Sequence, residues 1–262
     1  MKSKSFIFTV DDNIRFLKEL NDSECQSIFE HPYLAMYKRL HKRFGLKVQL
    51  NLFYEMDGFD LSMMTKRYKD EWRQNSDWLK MSFHSKRENV KPYENSGYKE
   101  VFFDMLAVKG AICDFASWEN SANTTTIHYC LLTPEGVEAV TDTLCLGLLG
   151  LYGTEEEPRT SYQTEEENAV RIRRGETVDV PFMCYAGIDI VLNMYSAEEI
   201  LKKLDMFIGR DLIKVMIHEQ YFYPDYKRYQ PDFEEKLEKT FEKLTDNGYE
   251  SVFFEETLYK EG

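Results

Sequence analysis

The chain has 262 residues, a formal net charge of −13, 43% hydrophobic and 30% charged residues. That length suits a single domain with a full core, and the acid surplus argues against nucleic acid or anionic membrane as partners, leaving a small neutral or cationic substrate. Five dispersed cysteines without a CxxC pair, no apolar leader after Met1, and no apolar run near the roughly 18 residues that cross a bilayer predict a reduced, cytoplasmic protein.

Residues 6–10 form a run of Phe, Ile, Thr and Val that reads as a strand buried on both faces and ending at Asp11-Asp12. Residues 30–44 place Tyr33, Leu34, Tyr37, Leu40 and Phe44 at helical spacing, with Gly45 as the stop signal. Residues 46–54 alternate as a second strand, 65–78 read as a helix, and 79–83 as a third strand ending at His84. A long helix over 97–115 precedes a β-branched, aromatic strand over 124–132, and Thr133-Pro134-Glu135 opens the next helix. A fifth strand over 144–152 is followed by a stretch, 153–182, that breaks the pattern. Ser196 and Glu199 form a capping box for a helix to 207. Residues 214–217 are a late strand ending at His218, 232–245 a helix, and 251–254 the last strand.

Repeated strand–helix alternation predicts an α/β fold. The alternation repeats about six or seven times, which points to parallel βαβ units in a (β/α) barrel or a doubly wound sheet. One domain covers 1–262, and 153–182 is an inserted β-hairpin or lid.

In parallel α/β architecture, side chains just past the strand C-termini converge on one face. Asp11 and Asp12, His84 with Glu88, His128, and His218 with Glu219 occupy such positions. Asp12 also suits a helix N-cap, and His31 and His41 read as structural. One Asp with two His is a ligand set for a divalent transition metal, and an adjacent second Asp suits a general base for the attacking water.

Thr9-Val10-Asp11-Asp12 resembles the first motif, Thr-Phe-Asp-Asp, of the polysaccharide deacetylase superfamily, metal-dependent carbohydrate esterases on an irregular (β/α) barrel. The resemblance implies that Asp11 is the general base and Asp12 a metal ligand. His84-Ser85-Lys86-Arg87-Glu88 resembles the second motif, His-Ser/Thr-x-x-His, with Glu88 in place of the second His. The third ligand is then His128 or Glu88, with His128 preferred. Val215-Met216-Ile217-His218 resembles the late motif whose His is the general acid, whereas no Arg of the third motif stands in 128–134. The implied activity is removal of an acetyl or similar acyl group from a carbohydrate by a single divalent ion, zinc first and nickel, cobalt or iron as alternatives.

The aromatic loop over 218–226 suits a sugar, so Tyr221, Tyr223 and Glu219 are expected to bind substrate, with Trp118 a weaker candidate of the same kind. The alternatives are a binding barrel without hydrolysis, or a glycoside hydrolase using Asp11 or Asp12 opposite Glu55 or Glu219. No GxGxxG, Walker or GxSxG motif occurs.

Overall fold

The computed structural model describes residues 4–88 and 91–258. Strand β1 (Ser5–Asn13) leads through helices α1 (Arg15–Asp22) and α2 (Pro32–Phe44) to strand β2 (Val48–Phe53). The antiparallel ribbon β3 (Glu55–Met56) and β4 (Phe59–Asp60) precedes helix α3 (Lys69–Gln74) and strand β5 (Leu79–Ser85). Helix α4 (Tyr98–Phe115) connects to β6 (Thr124–Thr125), and α5 (Pro134–Asp142) to β7 (Gly147–Gly150). After α6 (Glu166–Arg173), the hairpin β8 (Thr177–Val180) and β9 (Met183–Gly187) runs on into β10 (Ile190–Val191). Helix α7 (Ala197–Phe207), strand β11 (Leu212–His218), helix α8 (Phe233–Asp246), strand β12 (Glu250–Ser251) and helix α9 (Glu255–Leu258) follow.

Two parallel ladders, β10-β11-β1-β2-β5 and β6-β7-β9, form the centre. They meet on one side where Ser121 bridges Met81 and the Ala122 N–H donates to the Met81 carbonyl at 2.8 Å. On the other side the Ile188 N–H donates to Gly150 (2.8 Å) and the Asp189 N–H to Lys214 (2.9 Å), so one extended segment passes from β7 to β11. The expected irregular barrel is thus the one observed, built from β1, β2, β5, β6, β7, β9–β10 and β11. The stretch 153–182 is not a hairpin in itself: it holds α6 and β8, and β8 pairs antiparallel with β9, the barrel strand that follows.

Strand alternation divides the apolar residues between two cores. Phe6, Phe8 and Val10 join the large cluster that includes the buried faces of α1, α2 and α8. Ile7 instead joins Leu149, Cys184, Ala186 and Phe254. Phe254 follows β12, which pairs with Ser5 and Phe6, so this fully buried ring plugs the ring of strands at the end where β1 begins. A Cβ on Gly147 would stand 2.8 Å from the Phe254 ring, so that close approach requires glycine.

Helix ends follow their local chemistry. Ser196 and Glu199 make both capping-box bonds, Thr133 Oγ1 accepts the Gly136 N–H, and Gly45 closes α2 at φ 65°.

Several expected elements are shorter than predicted, among them the strand expected over 144–152, which is confined to β7. The helix expected over 65–78 is confined to α3, where the Asn75 side chain bonds the Glu71 carbonyl and takes the Trp78 indole N–H, diverting the chain into a turn. The strand expected over 124–132 ends at Thr125, because Tyr129 and Cys130 adopt successive left-handed conformations (φ 60° and 58°). The strand expected over 251–254 keeps only Ser251, since the Phe253 N–H donates to the Glu256 carboxylate and starts α9. Among the described residues no helix is long and apolar enough to cross a membrane.

Candidate metal centre

Asp11 and Asp12 are consecutive, so a regular strand would point them to opposite faces. β1 breaks that rule. Its register against β2 shifts between Val10 and Asn13, and Asp12 sits at φ 63°, a bulge that swings the second carboxylate round to the same cavity as the first. Asn13 holds the bulge closed: its Nδ2 donates to the Val10 carbonyl (2.5 Å) and its Oδ1 accepts the Tyr33 hydroxyl (2.8 Å).

His84 projects from the end of β5. Its Nδ1–H donates to the Thr126 carbonyl at 2.5 Å, which turns Nε2 toward Asp12 Oδ1 at 3.1 Å. His128 lies not at a strand end but in the left-handed turn after β6, where Tyr162 supports the loop through its N–H to the Cys130 carbonyl. That turn places His128 Nδ1 at 3.1 Å from His84 Nε2 and 3.3 Å from Asp12 Oδ1. Phe53 packs against both rings, with centroids at 5.3 and 5.0 Å.

These three donor atoms fit a metal ion. Ligands at about 2.0–2.2 Å from a tetrahedral centre lie about 3.4 Å apart, close to the separations observed. His84 Nε2, His128 Nδ1 and Asp12 Oδ1 converge on one point, and a cation there would take the place of the proton that His84 otherwise shares with Asp12. Gln220 Nε2 donates to the other Asp12 oxygen at 2.7 Å and orients it. Asp12, His84 and His128 form the one three-residue donor group found among the described residues.

Electrostatics separate the two aspartates. Burial works to raise both. At Asp12 the hydrogen bonds from His128 and His84 prevail and hold it well below the usual carboxylate range. At Asp11 burial prevails over His84, His218 and Asn51, so its proton affinity is raised. Asp11 takes the Asn51 amide N–H at 2.7 Å, and Asn51 is fixed by Gln49, which in turn bonds Thr124. His84 is raised because Asp11 and Asp12 outweigh its burial, whereas burial lowers His128.

His218 is the strand partner of Asp11 on β11, and its Nδ1 is 2.8 Å from Asn193 Oδ1. Asp11, Asp12, His84, His128, His218 and Tyr221 line one cavity of about 600 Å³. Tyr129, its ring 4.3 Å from that of His128, lines it too. Glu88 also lines the cavity but lies outside the three-donor group; burial, Asp12 and Asp57 raise its pKa.

Three residues expected to bind substrate serve other ends. Glu219 is buried, and its two oxygens accept the N–H groups of Ile14, Arg15 and Phe16 and the Tyr223 hydroxyl at 2.8–3.1 Å. It is the cap of α1, a task that falls to neither Asp12 nor the N-cap residue Ile14. Burial pushes its pKa up to about 7 against those backbone donors. Tyr223 is buried with it, its ring 3.9 Å beneath the Arg15 guanidinium. Trp118 is 74% exposed, in a turn whose Asn120 bonds the carbonyl of Leu79 at the start of β5, the end of the barrel opposite His84. His31 and His41 are structural, bonded to Glu19 and to the Leu46 carbonyl.

Asn51, Gln220, Asn13 and Tyr129 were not legible as site residues. Gln220 had one signal, its place two residues after His218.

The barrel and its donor cluster define the class. No protein-family model matches the sequence, and no curated protein matches it. Solved structures do. A family 4 acetyl xylan esterase from Clostridium thermocellum, in complex with a cobalt ion, superposes with TM-score 0.54 at 12% identity, covering 97% of this chain and 91% of that one. A CE4 family pseudoenzyme from Bacillus anthracis gives 0.54 at 11% identity, over 98% of this chain and 66% of that. A 4-alpha-glucanotransferase from Thermococcus litoralis gives 0.61 at 13%, over 100% of this chain and 41% of that, so the chain spans about two fifths of its length. The fold implied by the motif resemblance, that of the CE4 deacetylases, is therefore the fold of this chain.

Proposed function

We propose that this protein is a metal-dependent hydrolase that removes an acetyl or similar acyl group from a carbohydrate, as a divergent polysaccharide deacetylase. The reading is carried by one observation: a three-donor cluster shares a cavity with two further proton-transfer groups, Asp11 and His218. The likeness of fold to an acetyl xylan esterase in complex with cobalt supports it. Asp12, His84 and His128 would hold a divalent transition metal, zinc being preferred by two nitrogens and one carboxylate oxygen. When bound, such an ion supplies Lewis acidity toward an acyl carbonyl.

The remaining chemistry belongs to the side chains. Asp11, with its raised proton affinity, accepts a proton from the attacking water. His218, one ring nitrogen committed to Asn193, has the other for delivering a proton to the leaving amine or hydroxyl. Tyr221 and Tyr129 offer ring faces to a pyranose. The two carboxylates expected to complete a carboxylate-only glycosidase are engaged elsewhere, Glu219 as the cap of α1 and Glu55 with Arg87 at 3.0 Å. The free cysteines favour a reducing, cytoplasmic compartment.

Metal analysis of purified protein tests the reading. About one equivalent of zinc, nickel, cobalt or iron is expected, and Asp12→Ala and His84→Ala are expected to lose it. A protein that takes up no divalent ion after dialysis against each of them overturns the proposal. Acidity offers a second check. His84 must shed its proton to bind metal, and its pKa is raised above the ordinary 6.5. Metal affinity is therefore expected to fall on acidification from a pH above 6.5, measured by chelator competition between pH 8 and 6. An affinity level down to pH 6 contradicts that assignment.

A further inference from the structure

Two arginines of the cavity have no carboxylate within ion-pair distance among the described residues. Every other arginine in the chain has its guanidinium hydrogen-bonded or ion-paired to the protein. Among the described residues, Arg159 and Arg228 alone have neither, and both line the cavity that contains Asp12, His84 and His128. With 46 acidic side chains against 33 basic ones, carboxylates are abundant enough to pair every arginine. Two unpaired guanidinium groups in one cavity therefore point to a partner outside the protein.

Their backbones are held in place. The Arg159 N–H donates to the Tyr152 carbonyl at 3.0 Å, in the loop after β7. Arg228 lies in the loop after β11, between the turns made by the Tyr226 and Tyr229 N–H groups (3.0 and 2.9 Å). β7 and β11 are the two strands that flank the β9–β10 segment, whereas the donor cluster comes from β1, β5 and the turn after β6. Asn193 and Met194 line the same cavity.

We propose that Arg159 and Arg228 form an anion-recognising subsite, so that the substrate is an acylated sugar bearing a carboxylate or phosphate group. The proposal rests on the deacylase reading above for the acyl group, but not for the anion. Each guanidinium presents a planar fork of donors that matches either anion, and the loops leave both side chains exposed enough to reach it.

The test is calorimetric binding of N-acetylglucosamine, its 6-phosphate and N-acetylmuramic acid, which add a phosphate and a carboxylate to the same sugar. At least one anionic sugar is expected to bind about tenfold more tightly than the neutral one. The double variant Arg159→Gln/Arg228→Gln is expected to lose that advantage, as is the native protein in 0.5 M salt. Equal binding of all three sugars, no binding of either anionic sugar, or a preference that survives in the double variant overturns the subsite. Acetate release from the same sugars separates the two ideas. A charge preference in binding without acetate release keeps the subsite and removes the deacylase, while release with equal KM for neutral and charged sugars does the reverse.

Discussion

The Asp11→Asn protein is expected to bind metal like the native protein and to turn over acylated carbohydrate about 10³-fold more slowly. The substitution changes one atom of a buried side chain that already accepts an amide N–H from Asn51. The new carboxamide oxygen can accept that same bond, so the fold is preserved. Asp12, His84 and His128 are untouched, so metal content is preserved as well. What disappears is the group whose burial raises its proton affinity and which faces His218 across neighbouring strands. Acetate release and metal content, measured on the same preparation, decide the matter. Turnover within a few fold of native removes Asp11 from the base role.

Replacing Glu219 by Ala is expected to destabilise the protein by roughly 3–5 kcal/mol in urea unfolding. The mechanism is specific. Three backbone N–H groups at the start of α1 and the hydroxyl of buried Tyr223 lose their acceptor together. Glu219→Gln keeps one acceptor oxygen and is expected to fall between the two. Because α1 begins three residues after Asp12, loosening its first turn also loosens the bulge, and metal affinity is expected to fall in the Ala variant. A loss of less than about 1 kcal/mol shows that water satisfies those groups and that the cap is dispensable.

What was readable in the sequence is what depends on local pattern. The run from Phe6 to Val10 and the run ending at His218 are strands because of their composition, and their ends carry the carboxylates and the histidine. Capping chemistry located α5 and α7. What was not readable depends on tertiary placement. His128 was expected at the end of a strand, yet it reaches the cluster because Tyr129 and Cys130 take left-handed backbone, which neither residue type announces. The bulge at Asp12 is equally silent, since it arises from register against β2 and from Asn13 tied to Tyr33. Glu219, Tyr223 and Trp118 are ambiguous in sequence for a related reason. An aromatic or acidic loop looks the same in sequence whether it faces a ligand, roofs a helix end or lies at the other end of the barrel.

The pairing of β1 with β11 has a consequence for how the molecule comes into being. Asp11 and His218 are register partners, yet roughly 200 residues separate them along the chain. During synthesis β1 emerges before β2 and can pair with it, but its other edge stays open until β11, roughly 200 residues later, has left the ribosome. For most of that time the strand bearing both aspartates has an unsatisfied row of backbone donors and acceptors. The two halves of the candidate site are thus joined only once β11 has been made, and chains halted after α7 leave that edge of β1 without its strand partner.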